Sequence, residues 1–278
     1  MKKGLVSIII PTKNSSRYLD KCLEHIKSQS YKDTEIIIVD GKSQDIDKTV
    51  EIAKKYKCKI VIFVPNVEKG LFDATKKRNY AATKAKGEFI YHMDADMELS
   101  KNVVEEAVSL CHKGFAAVII PEDSFGEGPW ANAKKFERRF FWGDDSVESP
   151  RFFKKTVWDR LKGYDENIAG GGDDRDLYQK ALEKGYKVGR IRSLVMANEG
   201  KLTLTHLLKK QFMYRRELLK YIFKRPQSIK GYFPIRASHI KNWRIFVSRP
   251  KDTFLFILMK SAESVAGVLG ILYSILKR

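Results

Sequence analysis

Five short apolar runs punctuate the first 121 residues: Leu5 to Ile10, Glu35 to Val39, Lys59 to Val64, Glu88 to Met93 and Phe115 to Ile120. They are rich in β-branched residues, show little polar alternation and stop at turn residues, as strands covered on both faces do. Between them the apolar positions step by three and four. Tyr18, Leu19, Cys22, Leu23 and Ile26 form one such set, and Ile46, Val50, Ile52 and Ala53 a second. Ala74 to Ala85 is a third, and Val103, Val104, Ala107 and Leu110 a fourth. Strand and helix therefore alternate, which predicts an α/β fold with a mostly parallel sheet flanked by helices. The opening run is too short for a leader peptide and stops at Pro11, so it is read as a buried strand.

In such sheets ligands lie beyond the carboxyl ends of the strands. The residues there are Pro11, Thr12, Lys13 and Asn14, then Asp40 to Ser43, Pro65 and Asn66, and Asp94, Ala95 and Asp96. Asp94 and Asp96 flank one small residue, so their carboxylates can converge on a hard cation, magnesium or manganese, that also bridges substrate phosphates. Taken alone, an acidic pair at a strand end is as often a solvated loop. Asp40 can accept hydrogen bonds from a base or a ribose, or merely close an Asx turn. Lys76, Lys77, Arg78 and Asn79 can set a guanidinium against a diphosphate, or form a solvated helix face.

Residues 122 to 200 mix aromatics with charges and carry a glycine run, Gly170 to Gly172, before Asp173, Asp174, Arg175 and Asp176. Leu177, Tyr178, Ala181 and Leu182 continue as a helix, so one acid suits a cap and the macrodipole. Three acids exceed that need. From Leu202 to Phe223 the spacing is again helical, Pro226 ends it, and a last apolar segment runs from Phe254 to Leu276. The expected division is 1–200 for the sheet domain and 201–278 for a helical region.

Charge sharpens that division. The chain has 278 residues with 53 Lys and Arg against 34 Asp and Glu, a net of +19. Residues 201–278 hold 17 basic and three acidic residues, a net of +14. An anionic partner is implied: nucleic acid, a phosphorylated small molecule or an acidic membrane face. Cys22, Cys58 and Cys111 lack the spacing of a zinc site or disulfide framework and fit a reducing, cytosolic compartment. Aromatic rings among the basic residues suit a headgroup zone, though they could also stack on single-stranded nucleic acid. The last segment has spanning length, but Lys260, Ser261, Glu263 and Ser264 interrupt it, which favours a helix lying in the interface over a full crossing. A packed C-terminal helix is the competing reading.

Taken together these motifs resemble family-2 glycosyltransferases, the GT-A-fold enzymes that move a sugar from a nucleotide donor. The resemblance covers residues 5 to 185. It is carried by Val6 to Asn14, Gln29 to Tyr31, Glu35 to Ser43, Arg78 and Asn79, Ala85 to Glu88, Asp94 to Asp96, Gly163 to Glu166 and Gly172 to Leu177. It implies a GT-A-like, Rossmann-type sheet with a basic helical C-terminal extension. It also implies a donor site of Pro11, Thr12, Asn14, Asp40, Arg78 and Asp94, metal ligation by Asp94 and Asp96, and Asp174 as general base. Asp173 stands where the family usually has Glu. The run Gly189 to Leu202 looks like a membrane-linked subgroup that carries a His where this chain has Ala197. Asn198, His206 or water would then complete the metal shell, with Asp173 and His206 as further metal or acceptor candidates.

The expected activity is metal-dependent transfer, with Mn2+ or Mg2+ and inversion, from a nucleotide-sugar donor to a lipid-linked or membrane-associated acceptor. It would take place at an anionic membrane surface on the cytoplasmic side, without nucleic acid as a partner. The alternatives are a polyprenyl-phosphate sugar synthase, whose acceptor oxygen is already anionic, and a non-catalytic basic nucleic-acid-binding protein.

Overall fold

The computed structural model describes residues 1–67, 72–168, 170, 172–232 and 236–277, so Gly171 of the glycine run lies outside the described residues. In chain order the elements begin with β1 (Lys2–Thr12), α1 (Ser16–Lys27), β2 (Thr34–Asp40), α2 (Thr49–Lys55), β3 (Lys59–Ile62), α3 (Ala74–Ala82), β4 (Gly87–His92), β5 (Met97–Leu99), α4 (Val103–His112) and β6 (Ala117–Ile119). There follow β7 (Glu122–Glu127), α5 (Pro129–Arg138), β8 (Pro150–Lys154), α6 (Lys155–Leu161), α7 (Asp173–Glu183), β9 (Val188–Arg190) and β10 (Val195–Lys201). The chain ends with α8 (Leu204–Lys224), α9 (Ala237–Lys241), α10 (Trp243–Ser248) and α11 (Pro250–Leu276).

Two compact units result. The first comprises Met1–Pro121, Ser149–Glu166 and Asp174–Ala197. Its sheet has seven strands in the order β3-β2-β1-β4-β8-β6-β9. β1 pairs in parallel with β2 and β4, and β2 with β3, while β8 runs antiparallel to β4 and β6. Alternation along the strands supplies a core on each face. Val6, Ile8, Ile10, Ile36, Ile38, Phe89 and Tyr91 pack with α1 and α4, whereas Ile9, Ile37, Val39 and Ile90 pack with α3, α6 and α7. The lack of polar alternation follows, because both faces are dry. The second helix is shorter than its spacing suggests. Ile46 is 89% exposed, and α2 starts only at Thr49, whose backbone N–H and hydroxyl both bond the Asp47 carboxylate.

The second unit comprises Glu122–Glu148, Asn167–Asp173 and Asn198–Arg278. The boundary expected near residue 200 is thus drawn differently, because the aromatics of 130–141 have partners far along the chain. Phe136, Phe140 and Phe141 of the α5 region join Leu207 of α8 and Phe256 and Met259 of α11 in one cluster. Ile168 packs with Leu218 and Tyr221. At Gly172 a Cβ would lie 2.7 Å from the Tyr221 ring, so a side chain there collides with this cluster. α8 and α11 approach closely because Gly270 has no side chain: a Cβ there would sit 2.4 Å from the Phe212 carbonyl oxygen.

α11 is long and apolar enough to cross a membrane by length and composition. Its two faces differ. Phe256, Met259, Glu263, Ala266, Gly267 and Gly270 are buried within the unit. The polar residues that interrupt the apolar run lie against protein: Lys260 Nζ meets Glu263 at 2.7 Å and Glu137 of α5 at 2.9 Å, and Lys134 meets Glu137 at 2.8 Å and Glu263 at 3.0 Å. The opposite face leaves Phe254, Leu258, Val265, Leu269 and Leu272 exposed.

Candidate active site

The carboxyl ends of β1, β2 and β4 carry the predicted polar residues. Asp40 is fully buried, and its carboxylate accepts from Thr12 Oγ1 at 2.8 Å, the Ser43 backbone N–H at 2.7 Å and the Ser43 hydroxyl at 2.6 Å. It therefore ties the β1 end to the loop after β2. Pro11 is half-buried on β1. Asn14, with a φ of 50°, donates its N–H to Ser43 Oγ at 2.8 Å and accepts from Gln44 N–H at 2.9 Å, so the same loop closes on both sides.

The run from Lys76 to Asn79 is not a solvated face. Lys77 is 1% exposed and threads between strands, donating to the Thr12 carbonyl oxygen at 3.1 Å and pairing with Asp73 at 2.7 Å. Gly41 makes room for it, since a Cβ there would stand 2.4 Å from Lys77 Nζ. Asn79 exchanges two bonds with the Tyr164 backbone, Nδ2 to the carbonyl at 2.9 Å and Tyr164 N–H to Oδ1 at 3.0 Å, and its Nδ2 also reaches Glu166 at 3.0 Å. This joins two segments 85 residues apart. Gly163, at φ +63°, allows it, because a Cβ would fall 2.7 Å from Asn79 Oδ1.

Arg78 occupies the centre. Its guanidinium bonds Asp94 Oδ1 and lies 6.0 Å from the Tyr164 ring centroid. Arg151, on β8, holds the other oxygen of Asp94 at 3.0 Å. Burial works to raise the Asp94 carboxyl, but the two guanidiniums overcome it and hold it well below the usual carboxylate range. Under this group His92 is buried against Trp158 and Tyr164, with centroids at 4.4 and 5.3 Å, and its burial keeps it neutral. Sequence reasoning missed Arg151. It sits on a strand that the antiparallel order inserts beside β4, and neither spacing nor local pattern signals that pairing.

Asp96 follows on the loop leading to β5, half-buried. Asp174 is exposed in the first turn of α7, where its Oδ1 accepts from the Arg175 N–H at 2.8 Å. Of the three acids, Asp176 turns inward, fully buried and paired with Lys180 at 2.9 Å. Asp173 is buried and clusters with the second unit. His206 is exposed in the first turn of α8, where its N–H caps onto Thr203 Oγ1 at 3.2 Å. Among the described residues no group of three His, Cys, Asp or Glu side chains is placed to hold a metal. A hard divalent ion that keeps waters and bridges phosphates fits such a sparse carboxylate set.

A dinucleotide-like sheet with buried loop anchors, paired guanidiniums and carboxylates at the strand ends can bind a nucleoside diphosphate group. Similarity to TarP, a poly(ribitol-phosphate) β-N-acetylglucosaminyltransferase of Staphylococcus aureus, extends over 176 residues at 27% identity, covering 58% of this chain and 52% of the relative. A GalNAc(5)-diNAcBac-PP-undecaprenol β-1,3-glucosyltransferase of Campylobacter jejuni is 27% identical over 203 residues, covering 67% of this chain and 64% of the relative. The match to S. aureus TarS spans only 20% of that protein. Among solved structures, a mannosyltransferase of Pyrobaculum calidifontis in complex with GDP-Man and Mn2+ superposes with a TM-score of 0.58 at 17% identity, covering 95% of this chain and 86% of that one. S. aureus TarS residues 1–349 with UDP-GlcNAc gives 0.54 at 15%, covering 96% and 89%. These structures share the fold. The family model for glycosyl transferase family 2 matches residues 7–166, more than half of the sequence and all of the strand-end loops described above, and to that family the chain belongs.

Proposed function

We propose that the chain transfers a sugar from a nucleotide-sugar donor to a hydroxyl of a phosphate-bearing, lipid-linked or membrane-associated acceptor, with inversion. The observation that carries this reading is Asp94 held between Arg78 and Arg151 at the end of β4, with Asp96 two residues on. Asp94 orients the two cations, whose charge stabilises a diphosphate on which negative charge grows as the glycosyl bond breaks. Preorganised donors of this kind need no rearrangement at that moment. Thr12, Asn14 and the loop after β2 form the nucleoside wall, with Asp40 fixing them from behind.

Asp96 is the carboxylate we assign to a divalent ion. When bound, Mn2+ or Mg2+ neutralises charge on the donor's phosphates. Asp94 acts through its guanidiniums, a change from the metal-ligand role that its spacing alone suggests. The exposed carboxylate of Asp174 receives the proton of the attacking hydroxyl. In-line attack opposite the leaving diphosphate inverts the anomeric centre.

The acceptor class is supported by charge and by the relatives, whose names specify poly(ribitol-phosphate) and a PP-undecaprenol-linked glycan. A +14 C-terminal stretch beside an exposed apolar face on α11 suits an anionic bilayer, with the helix lying in the interface and its packed face against protein. A nucleic-acid partner gives that apolar face nothing to contact.

The test is a panel of nucleotide sugars with Mn2+, read by thermal stabilisation and by slow hydrolysis. Stabilisation by at least one donor, dependent on the metal, is expected. A panel without stabilisation or turnover removes the reading.

A further inference from the structure

The second unit contains a cavity of about 610 Å3, lined among others by His239, Ile240, Trp243, Phe256, Ile257 and Ser261. That volume falls within the roughly 300–1,000 Å3 of small-molecule sites. Its walls come from α9, α10 and α11, and three of the side chains that line it stay exposed: Ile240 at 68%, Trp243 at 57% and Ile257 at 56%. An apolar recess whose rim is itself apolar and open has the character of a site entered from a hydrocarbon phase. Lys241, Arg244 and Lys251, all exposed, are neighbours in sequence of the lining residues.

His239 gives a second, independent indication. It is 4% exposed, and its Nδ1 accepts from the Arg236 backbone N–H at 3.0 Å. That bond assigns the proton of the neutral ring to Nε2. Nε2 is buried and has no partner among the described residues. Buried donors are nearly always satisfied, so this one calls for an oxygen that no described residue provides.

We propose that this cavity takes one acyl chain of an anionic phospholipid. The chain fills the recess, the ester region supplies an acceptor for His239 Nε2, and the phosphate meets the exposed cations. Hydrocarbon, ester and anionic headgroup are the three chemistries that the apolar wall, the orphan donor and the exposed cations of the same segments each suit. The proposal rests on the membrane-facing reading of this unit. It adds a stoichiometric site to what would otherwise be a diffuse surface.

The experiment uses the full chain and a short-chain phosphatidylglycerol with a fluorescent polyene acyl chain, kept below its aggregation concentration. Co-sedimentation with phosphatidylglycerol vesicles is measured separately. Ser261 and Ile257 are exposed on α11, so Ser261→Phe and Ile257→Trp fill the cavity without displacing core residues, and Ser261→Ala is the control. Saturable binding of one lipid per chain is expected, unchanged in Ser261→Ala. Both filled variants should bind about tenfold more weakly or worse, since loss of contact with as few as two methylene groups has that effect. Their vesicle binding should persist. Unaltered lipid binding in the filled variants overturns the proposal. So does tighter binding of a polyprenyl phosphate, which hands the cavity to another lipid. Vesicle binding without saturable monomer binding overturns the cavity assignment and leaves the membrane reading standing, whereas loss of both overturns both.

Discussion

Arg151 donates to Asp94 Oδ2 at 3.0 Å, on the carboxylate oxygen that Arg78 leaves open. One acid thereby aligns two guanidiniums from different elements, α3 and β8. Arg151→Ala removes one of them and leaves Asp94 paired, so the fold is expected to persist while the diphosphate loses a charge-assisted contact worth about 1.5–3 kcal/mol. Nucleotide-sugar affinity should fall by about tenfold or more, measured by titration calorimetry. Arg151→Lys should restore only part, because a point charge cannot serve carboxylate and phosphate bidentately. Unchanged affinity in Arg151→Ala would place Arg151 outside the donor site.

Asp96 is the carboxylate assigned to the ion, two residues beyond the one that pairs with the guanidiniums. Asp96→Asn should keep the native melting profile and nucleotide-dependent protection but lower Mn2+-dependent turnover by about 100-fold, the scale of losing one electrostatic stabiliser. Chelation should reduce the wild-type enzyme to the same level and should not reduce the variant further. A variant that still responds fully to Mn2+ would show that the ion is held elsewhere.

Much of this was legible in the sequence for a physical reason. Strands covered on both faces write themselves as β-branched runs, so β1, β2 and β4 and the loops at their ends could be read directly, and with them Thr12, Asp40, Asp94 and Asp96. Two kinds of information were not local. Arg151 reaches the site because β8 enters the sheet antiparallel to β4, a pairing between residues about 60 positions apart that no spacing encodes. Lys77, in a run that reads as surface, is buried because Gly41 and the Thr12 carbonyl leave a polar channel for it. The region 122–148 likewise carries aromatics whose partners, Leu207, Phe256 and Met259, lie far along the chain.

Asp174 is exposed in the first turn of α7, with one oxygen on the Arg175 N–H. Among the described residues it makes no contact that the core depends on, so Asp174→Asn should melt like the wild type. Transfer to a hydroxyl acceptor should drop about 10²- to 10⁴-fold, the usual share of a positioned base, with nucleotide affinity kept. If the acceptor is instead a polyprenyl phosphate, whose oxygen needs no base, the same variant should retain most of its activity. Product formation with each acceptor class separates the two.

His239 predicts a pH dependence of stability. Burial lowers its pKa, and protonation of Nδ1 would put a second donor against the Arg236 N–H. The unfolded chain takes up the proton near pH 6.5 and the folded chain does so only at lower pH. The stabilisation is therefore complete above about pH 6.5 and falls as the pH drops below it, by at most about 1.4 kcal/mol per pH unit for this group. His239→Phe should be less acid-sensitive than the wild type between about pH 6.5 and 5 in urea titrations, since the variant has no such proton to take up. Equal slopes would show that His239 titrates normally.

The strongest stability prediction concerns the four charges between α5 and α11. Lys134, Glu137, Lys260 and Glu263 alternate in sign around a closed ring, with N···O distances of 2.7 to 3.0 Å, and both carboxylates are under 10% exposed. Burial alone would raise the Glu137 carboxyl, but the two ammonium groups overcome it and hold it well below its ordinary range. Lys260→Met removes one cation and leaves two buried carboxylates sharing Lys134, which should cost about 3–5 kcal/mol in urea unfolding. Lys260→Met combined with Glu263→Gln leaves a neutral amide and the intact Lys134 to Glu137 pair, so the double variant should recover a large part of that loss. The recovery is what distinguishes a charge imbalance from lost packing, because both variants remove the same lysine. It also explains why Lys260 and Glu263 interrupt an otherwise apolar helix: they fix which face of α11 meets protein. Deleting residues 252–278 would strip Phe256 and Met259 from the core as well, so the double substitution tests the ring and truncation does not. A double variant no more stable than Lys260→Met would show that the ring contributes through shape alone.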